Sequence, residues 1–265
     1  MPHCDLGYGL GNPIPTPMKS PDMPIPLRSA PVLLALSLAL LAGTAPVRAA
    51  NGGQSQDWQA AIASPLRSDD DRKADARRKP AEFLAFAQVR PGMKVLDIAA
   101  GGGATAALLA AAVGDKGEVW AQNGKPNARL EARKLPRLHA VVAGFDDPVP
   151  EGATGLDLVT INMSYHDIVN TPTDRAAMNK RLYDALKPGG KLVIIDNAAK
   201  KGSGLAATRT LHRIDEDSVV QEVTRVGFRL DTSSGYLRAP SDPREQPFFE
   251  MKGAPDDKFA LRFVK

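Results

Sequence analysis

The feature that most restricts this chain is Val95-Leu96-Asp97-Ile98-Ala99-Ala100-Gly101-Gly102-Gly103-Ala104-Thr105-Ala106-Ala107-Leu108-Leu109. A short apolar run carrying one acid breaks into three glycines and continues as alanine- and leucine-rich sequence. The segment therefore reads as strand, tight turn and helix. Glycine permits positive φ and lets a ligand approach without meeting a Cβ, and the first amides of the following helix lack intrahelical partners. Such a turn belongs in an α/β fold and offers a place for a small polar or charged ligand.

The rest of the chain repeats strand and helix patterns around it. Glu118–Asn123 reads as a second strand, residues 126–138 as a basic helix, and His139–Asp147 as a third strand with an acidic exit. Leu156–Asn162 is a fourth strand leading into Met163-Ser164-Tyr165-His166-Asp167. Met178, Leu182 and Leu186 recur at i, i+4 and i+8, so the segment from Asp174 to Lys187 presents one apolar face. Lys191–Asp196 is a fifth strand, and Ser218–Val226 a helix. Gly227–Asp231 and Lys258–Val264 alternate strictly and read as two closing strands. The order implies an α/β, doubly wound sheet, mostly parallel, with a C-terminal antiparallel hairpin.

The beginning of the chain differs in kind. Nine of the 22 prolines precede residue 50, and the apolar run Pro31–Ala42 lies between Arg28 and the small-residue exit Val47-Arg48-Ala49. That run is shorter than the roughly 20 residues needed to cross a bilayer, so it reads as a signal-peptide core. Residues 1–49 are expected to be signal peptide and upstream extension, 50–65 a linker, and 66–265 the folded domain. Export follows, to the periplasm if the source is bacterial, with no stable membrane span after processing. The only cysteine, Cys4, falls in the part expected to be removed, which excludes disulfides and thiolate chemistry. A net charge of +4 in 265 residues gives no case for nucleic acid.

In its order of acid and then alternating glycines, Asp97–Gly103 resembles the first motif of class I S-adenosylmethionine-dependent methyltransferases, with Ala99 where that family usually has its first glycine. Arg67, Asp71, Asp75, Arg78, Pro80 and the phrase Val89–Val95 are similar to an exported bacterial predicted-methyltransferase group within that superfamily. The resemblance runs from about residue 66 to the C-terminus. It implies a Rossmann-like fold of the class I methyltransferase type, a lid-like N-terminal helix and S-adenosylmethionine as cofactor.

Asp97, Ala99, Gly101, Gly103 and Asn162 are the cofactor candidates along the first and fourth strands. Asn123 ends the second strand, about twenty residues past the glycines, where this fold normally places an acid on the ribose hydroxyls. Its amide either takes that role or shapes a turn with Gly124. By resemblance Asp146 contacts the adenine amino group, with Asp147 as rival.

Tyr165, His166 and Asp167 combine a phenol, a titratable base and an acid at the ligand end of a strand, and the resemblance marks them as typical of the exported group. His166 is expected to act as base helped by Asp167, with Tyr165 lining the methyl path. His212-Arg213-Ile214-Asp215 is a second signature of that group; His212 and Arg213 either bind an anionic substrate or cap a helix and pair with Asp215. Asp196-Asn197 resembles the magnesium-binding pair of cation-dependent O-methyltransferases, but the third ligand would be Asn162, and a hard cation recruits anionic oxygens. No metal is expected.

Methyl transfer to an oxygen or nitrogen of a small-molecule acceptor is the leading expectation. An exported ligand-binding protein without turnover is the alternative, because the donor is made in the cytoplasm. A nicotinamide-dependent oxidoreductase is third, since Gly101, Gly103 and Ala106 also satisfy the loose G-x-G-x-x-A pattern.

Overall fold

Apolar runs that alternate little along their length must be covered on both faces, and the strands here form one seven-stranded sheet of order β3-β2-β1-β4-β5-β7-β6. The computed structural model describes residues 58–265. The apolar run 31–42, its exit, Cys4 and residues 50–57 lie outside the described residues.

In chain order the elements are α1 (Gln59–Ile62), α2 (Asp69–Lys73), α3 (Asp75–Arg78), α4 (Pro80–Phe86), β1 (Lys94–Ile98), α5 (Ala104–Val113), β2 (Glu118–Asn123), α6 (Ala128–Glu131) and β3 (Leu138–Val142). They continue with β4 (Leu156–Asn162), α7 (Tyr165–Val169), α8 (Arg175–Ala185), β5 (Leu186–Asn197), α9 (Thr208–Leu211), α10 (Glu216–Thr224), β6 (Arg229–Ser234) and β7 (Lys258–Val264). Strands β1 to β5 pair in parallel, and β7 runs antiparallel between β5 and β6. This is the Rossmann-like sheet with its C-terminal hairpin that the strand order implied.

Side chains alternate between two cores. Leu96, Ile98, Val159, Ile161, Leu192 and Ile194 face the layer that holds Met178, Leu182, Val219 and Val223. Val95, Val119, Leu158 and Val193 face the layer built by Phe83, Leu84 and the inner side of α5. That is the period of two expected of a strand. Met178 and Leu182 are fully buried, so truncating either to alanine would cost about 2–5 kcal/mol.

Three local expectations change. The helix expected over 126–138 shrinks to α6, because Lys134 and Arg137 take positive φ and Pro136 lies between them. Packed structure reaches into the stretch expected to be linker: α1 buries Ala61 against the same core as α5. The helical segment expected to run to Lys187 ends at Ala185, and the chain passes directly into β5, pairing Leu186 with Leu156.

In this strand order the sheet changes direction between β1 and β4, which places a crevice at their carboxyl ends.

Candidate functional site

The glycine turn opens into that crevice. After β1, the chain takes left-handed backbone at Ala99 (φ 52°), Gly101 (φ 55°) and Gly103 (φ 76°) before α5 begins. Two side chains from the end of β2 hold it. Gln122 Oε1 accepts from the Ala99 N–H at 3.2 Å. Asn123 closes on Gly101 from both sides, accepting its N–H at 2.8 Å and donating to its carbonyl at 3.0 Å. A third clamp comes from Arg133, whose Nε donates to the Gly102 carbonyl at 2.6 Å. A Cβ at Gly103 would stand 2.6 Å from Leu130 Cδ1, whereas one at Gly101 would meet nothing within 4 Å. The turn is thus tight on its inner side and open on its outer side.

The open side borders a cavity of about 280 Å³ lined by the turn, by Thr105, by Asn162 and Ser164 after β4, and by the N-terminal helices. Ala99, Gly101 and Asn162, three of the cofactor candidates, line it. Asp97 lies beneath the turn, fully buried. Thr160 Oγ1 donates to Oδ1 of Asp97 at 2.6 Å, while Oδ2 has no hydrogen-bond partner among the described residues. Burial pushes its carboxyl up to about 7, against the lowering effects of Thr160 and Arg78.

Neither Asn123 nor Asp146 borders this cavity. With both ends of its amide engaged by Gly101, Asn123 shapes a turn, but the turn is that of β1 and not the one at Gly124. Asp146 accepts the Asp174 N–H at 2.5 Å, and its rival Asp147 pairs with Arg181 at 2.6 Å. Both acids are held by the start and the outer face of α8.

The N-terminal helices supply residues that sequence reading missed. Arg77 and Arg78 border the cavity together with Arg67, Asp75 and Phe83. The signal was available in Arg67, Asp71, Asp75 and Arg78, which carried the family resemblance. Ser68 forms a capping box with Asp71, and Asp71 receives both Arg133 amino groups at 2.8 and 2.9 Å. Burial alone would raise the Asp71 carboxyl, but Arg133 and the Ser68 N–H hold it down at about 2. Arg133 thereby ties the N-terminal cover to the glycine turn. Arg67 pairs in the same fork fashion with Asp75 at 2.9 and 2.5 Å.

A second constellation assembles past Ser164. His166 is buried. Its Nδ1 lies 2.6 Å from Asp196 Oδ1, and its backbone N–H donates to Asp196 Oδ2 at 2.9 Å. The Nε2 atom of His166 lies 3.3 Å from Asp167 Oδ1, which is also 3.2 Å from Nδ1 of His212. Burial lowers the affinity of His166 for its proton, but Asp167 and Asp196 outweigh it and raise the pKa to about 9. These two carboxylates favour the charged ring, which works against the role of base expected of His166.

Two candidates leave the site altogether. Tyr165 is a core residue whose hydroxyl donates to Glu222 at 2.8 Å and accepts from Asn179 at 2.9 Å. It does not line the cavity. Arg213 is fully buried and pairs with Asp242 at 2.8 Å, with further bonds to the Ala198 and Gln246 carbonyls. It straps the loop before β7 to the sheet and is out of reach of a substrate. Asp215, the expected partner of the pair, instead caps α10 and accepts from Gly202 and Gly204.

Comparison with known proteins agrees with this geometry. A family model described as a methyltransferase domain matches residues 95–190. The ubiquinone/menaquinone biosynthesis C-methyltransferase UbiE of Xanthomonas campestris is 36% identical over 122 residues, 43% of this chain and 46% of that protein. The chain thus spans about half the length of the curated relatives it matches. A methyltransferase of Aquifex aeolicus, titled as dependent on S-adenosylmethionine, superposes with TM-score 0.53 at 18% identity over 74% of this chain and 94% of that one. One from Mesorhizobium loti, similarly titled, gives 0.52 at 13% identity over 69% and 96%. With β1 to β4 and the glycine turn inside the matched segment, the methyltransferase-domain match and the shared fold together support the class I S-adenosylmethionine-dependent methyltransferase superfamily.

Proposed function

We infer that this protein transfers the methyl group of S-adenosylmethionine to an oxygen or nitrogen of a small-molecule acceptor. The observation that carries this reading is the outer side of the glycine turn, where Gly101 has positive φ and open space in place of a Cβ, at the entrance to α5. The residues around it suit the methionine part of the donor. Outward amides of the turn and the guanidinium of Arg78 match a carboxylate, and Phe83 and Leu108 give an apolar wall. When bound, the donor supplies an electrophilic methyl group and a neutral thioether as leaving group. The chain aligns the partners and keeps water from them. The N-terminal helices tied down through Asp71 and Arg133 are suited to that exclusion.

The engagement of Asn123 by Gly101 favours a second reading, a ligand-binding protein without turnover, because the end of β2 presents neither an acid nor a free amide to a ribose. Calorimetry with S-adenosylmethionine and S-adenosylhomocysteine separates the readings. Micromolar binding of both supports the transferase. No heat at millimolar S-adenosylmethionine overturns it, and NAD(P) binding would favour the oxidoreductase. Gly101→Asp, which fills the open space with a residue tolerant of left-handed backbone, is expected to remove binding while leaving the fold intact. The reading includes export, on the pattern of residues 28–49; a mature chain found in the cell with its first 49 residues attached would overturn that part.

A further inference from the structure

Two of the chain's four histidines, 46 positions apart, meet at one carboxylate oxygen. We propose that His166 Nε2, Asp167 Oδ1 and His212 Nδ1 form a binding site for one divalent transition-metal ion of the zinc class, with Asp196 orienting His166.

The three atoms lie within 4.8 Å of one another, and both imidazole contacts to Asp167 measure 3.2–3.3 Å. Ligands at about 2.0–2.1 Å from a tetrahedral zinc ion stand about 3.3 Å apart. The spacing is that of a ligand set around an ion.

The buried surroundings point the same way. Asp196 is fully buried and engages both the Nδ1 and the backbone N–H of His166. A carboxylate on the far nitrogen selects the tautomer whose Nε2 lone pair is free, and this arrangement recurs behind metal-bound histidines. His212 is fixed by the bond from Asn197 Nδ2 to its carbonyl, and the ring of Phe249 meets it edge-on at 5.4 Å. Asp167 and His212 are open to solvent, which gives an ion an entry path. Three protein ligands leave a fourth position for water or a ligand oxygen, as in catalytic zinc sites.

The donor set differs in chemistry from the magnesium-type pair that Asp196-Asn197 resembled. Asp196 Oδ1 also accepts the Asn197 N–H, and Asn197 Nδ2 is turned to His212. Two imidazoles and one carboxylate select zinc, cobalt or nickel over magnesium.

The test uses the full chain without a histidine tag, stripped with a chelator and titrated with Zn²⁺ against a chromophoric competitor, then with Co²⁺ while its visible absorption is followed. One ion per chain and a tetrahedral cobalt spectrum are expected. His212→Asn and Asp167→Asn, both at solvent-open positions, should each weaken binding at least tenfold, and Asp196→Asn by about 10–100-fold. Near-ultraviolet circular dichroism verifies that each variant is folded. No uptake by the wild type overturns the proposal. So does uptake unchanged in the His212→Asn/Asp167→Asn double variant, which would assign the ion to other residues. The readout is independent of methyl transfer, so its failure leaves the donor reading standing.

Discussion

The glycine turn after β1 and the histidine cluster after β4 lie on neighbouring strands of one sheet, yet they are built in opposite ways. The turn is a local object. Its strand, glycines and helix are contiguous from Lys94 to Val113, and more distant residues only clamp it. The cluster exists only after folding, when α7, the end of β5 and the residue after α9 come together. Local sites are legible as motifs, whereas assembled ones appear as scattered single residues until the sheet aligns them.

The largest expected effect tests whether the two regions are independent. Arg213→Ala leaves the buried Asp242 carboxylate without its cationic partner, a loss of about 3–5 kcal/mol, measured as a shift in urea midpoint. Binding of S-adenosylmethionine by the folded fraction should survive, since Arg213 does not line the cavity; if it disappears, the regions are coupled and the comparison breaks. Gly103→Val acts on the other side. Its Cβ would clash with Leu130 at a φ of 76°, and overpacking together with left-handed backbone for a branched residue gives a loss of about 2–4 kcal/mol.

Acid titration sharpens the contrast within the turn region. Asp71 has a folded pKa of about 2, below the usual 3.8, so its contribution is present above pH 4 and is lost as pH falls toward 2. Asp71→Asn should remove on the order of 2 kcal/mol at neutral pH and flatten that acid limb. Asp97 works in the reverse sense. Its folded pKa is raised to about 7, so its contribution is present below pH 4 and declines as pH rises through 7. Asp97→Asn should flatten the urea midpoint across that window.

The smallest effect is expected at Ala99, a non-glycine residue with φ 52°. Ala99→Gly relieves the left-handed strain and loosens the unfolded chain by similar amounts, so stability should change by less than about 1 kcal/mol. A larger gain would mean that the turn stores more strain than the clamps of Gln122 and Asn123 require.

How far the sequence could be read depended on whether a property was periodic or relational. The seven strands and the helix over Arg175–Ala185 were legible because burial on two faces and a single apolar stripe act over a few residues. The residue types at the site were legible too, since His166, Asp167 and His212 stood out as chemical groups. Their partners did not stand out. Asn123 offered an amide that could face a ribose or a backbone. Arg213 read as a binder of an anionic substrate or as a partner of Asp215, and it pairs with Asp242 instead. Arg77 and Arg78 reach the cavity only because α3 is brought to the glycine turn. These outcomes depend on which segment arrives across 20 or more residues of intervening chain, and only tertiary packing decides that. Short-range sterics and hydrophobic period determined the elements and the turn; desolvation and long-range pairing, set by the assembled fold, decided which polar side chains face the cavity and which are sealed beneath it.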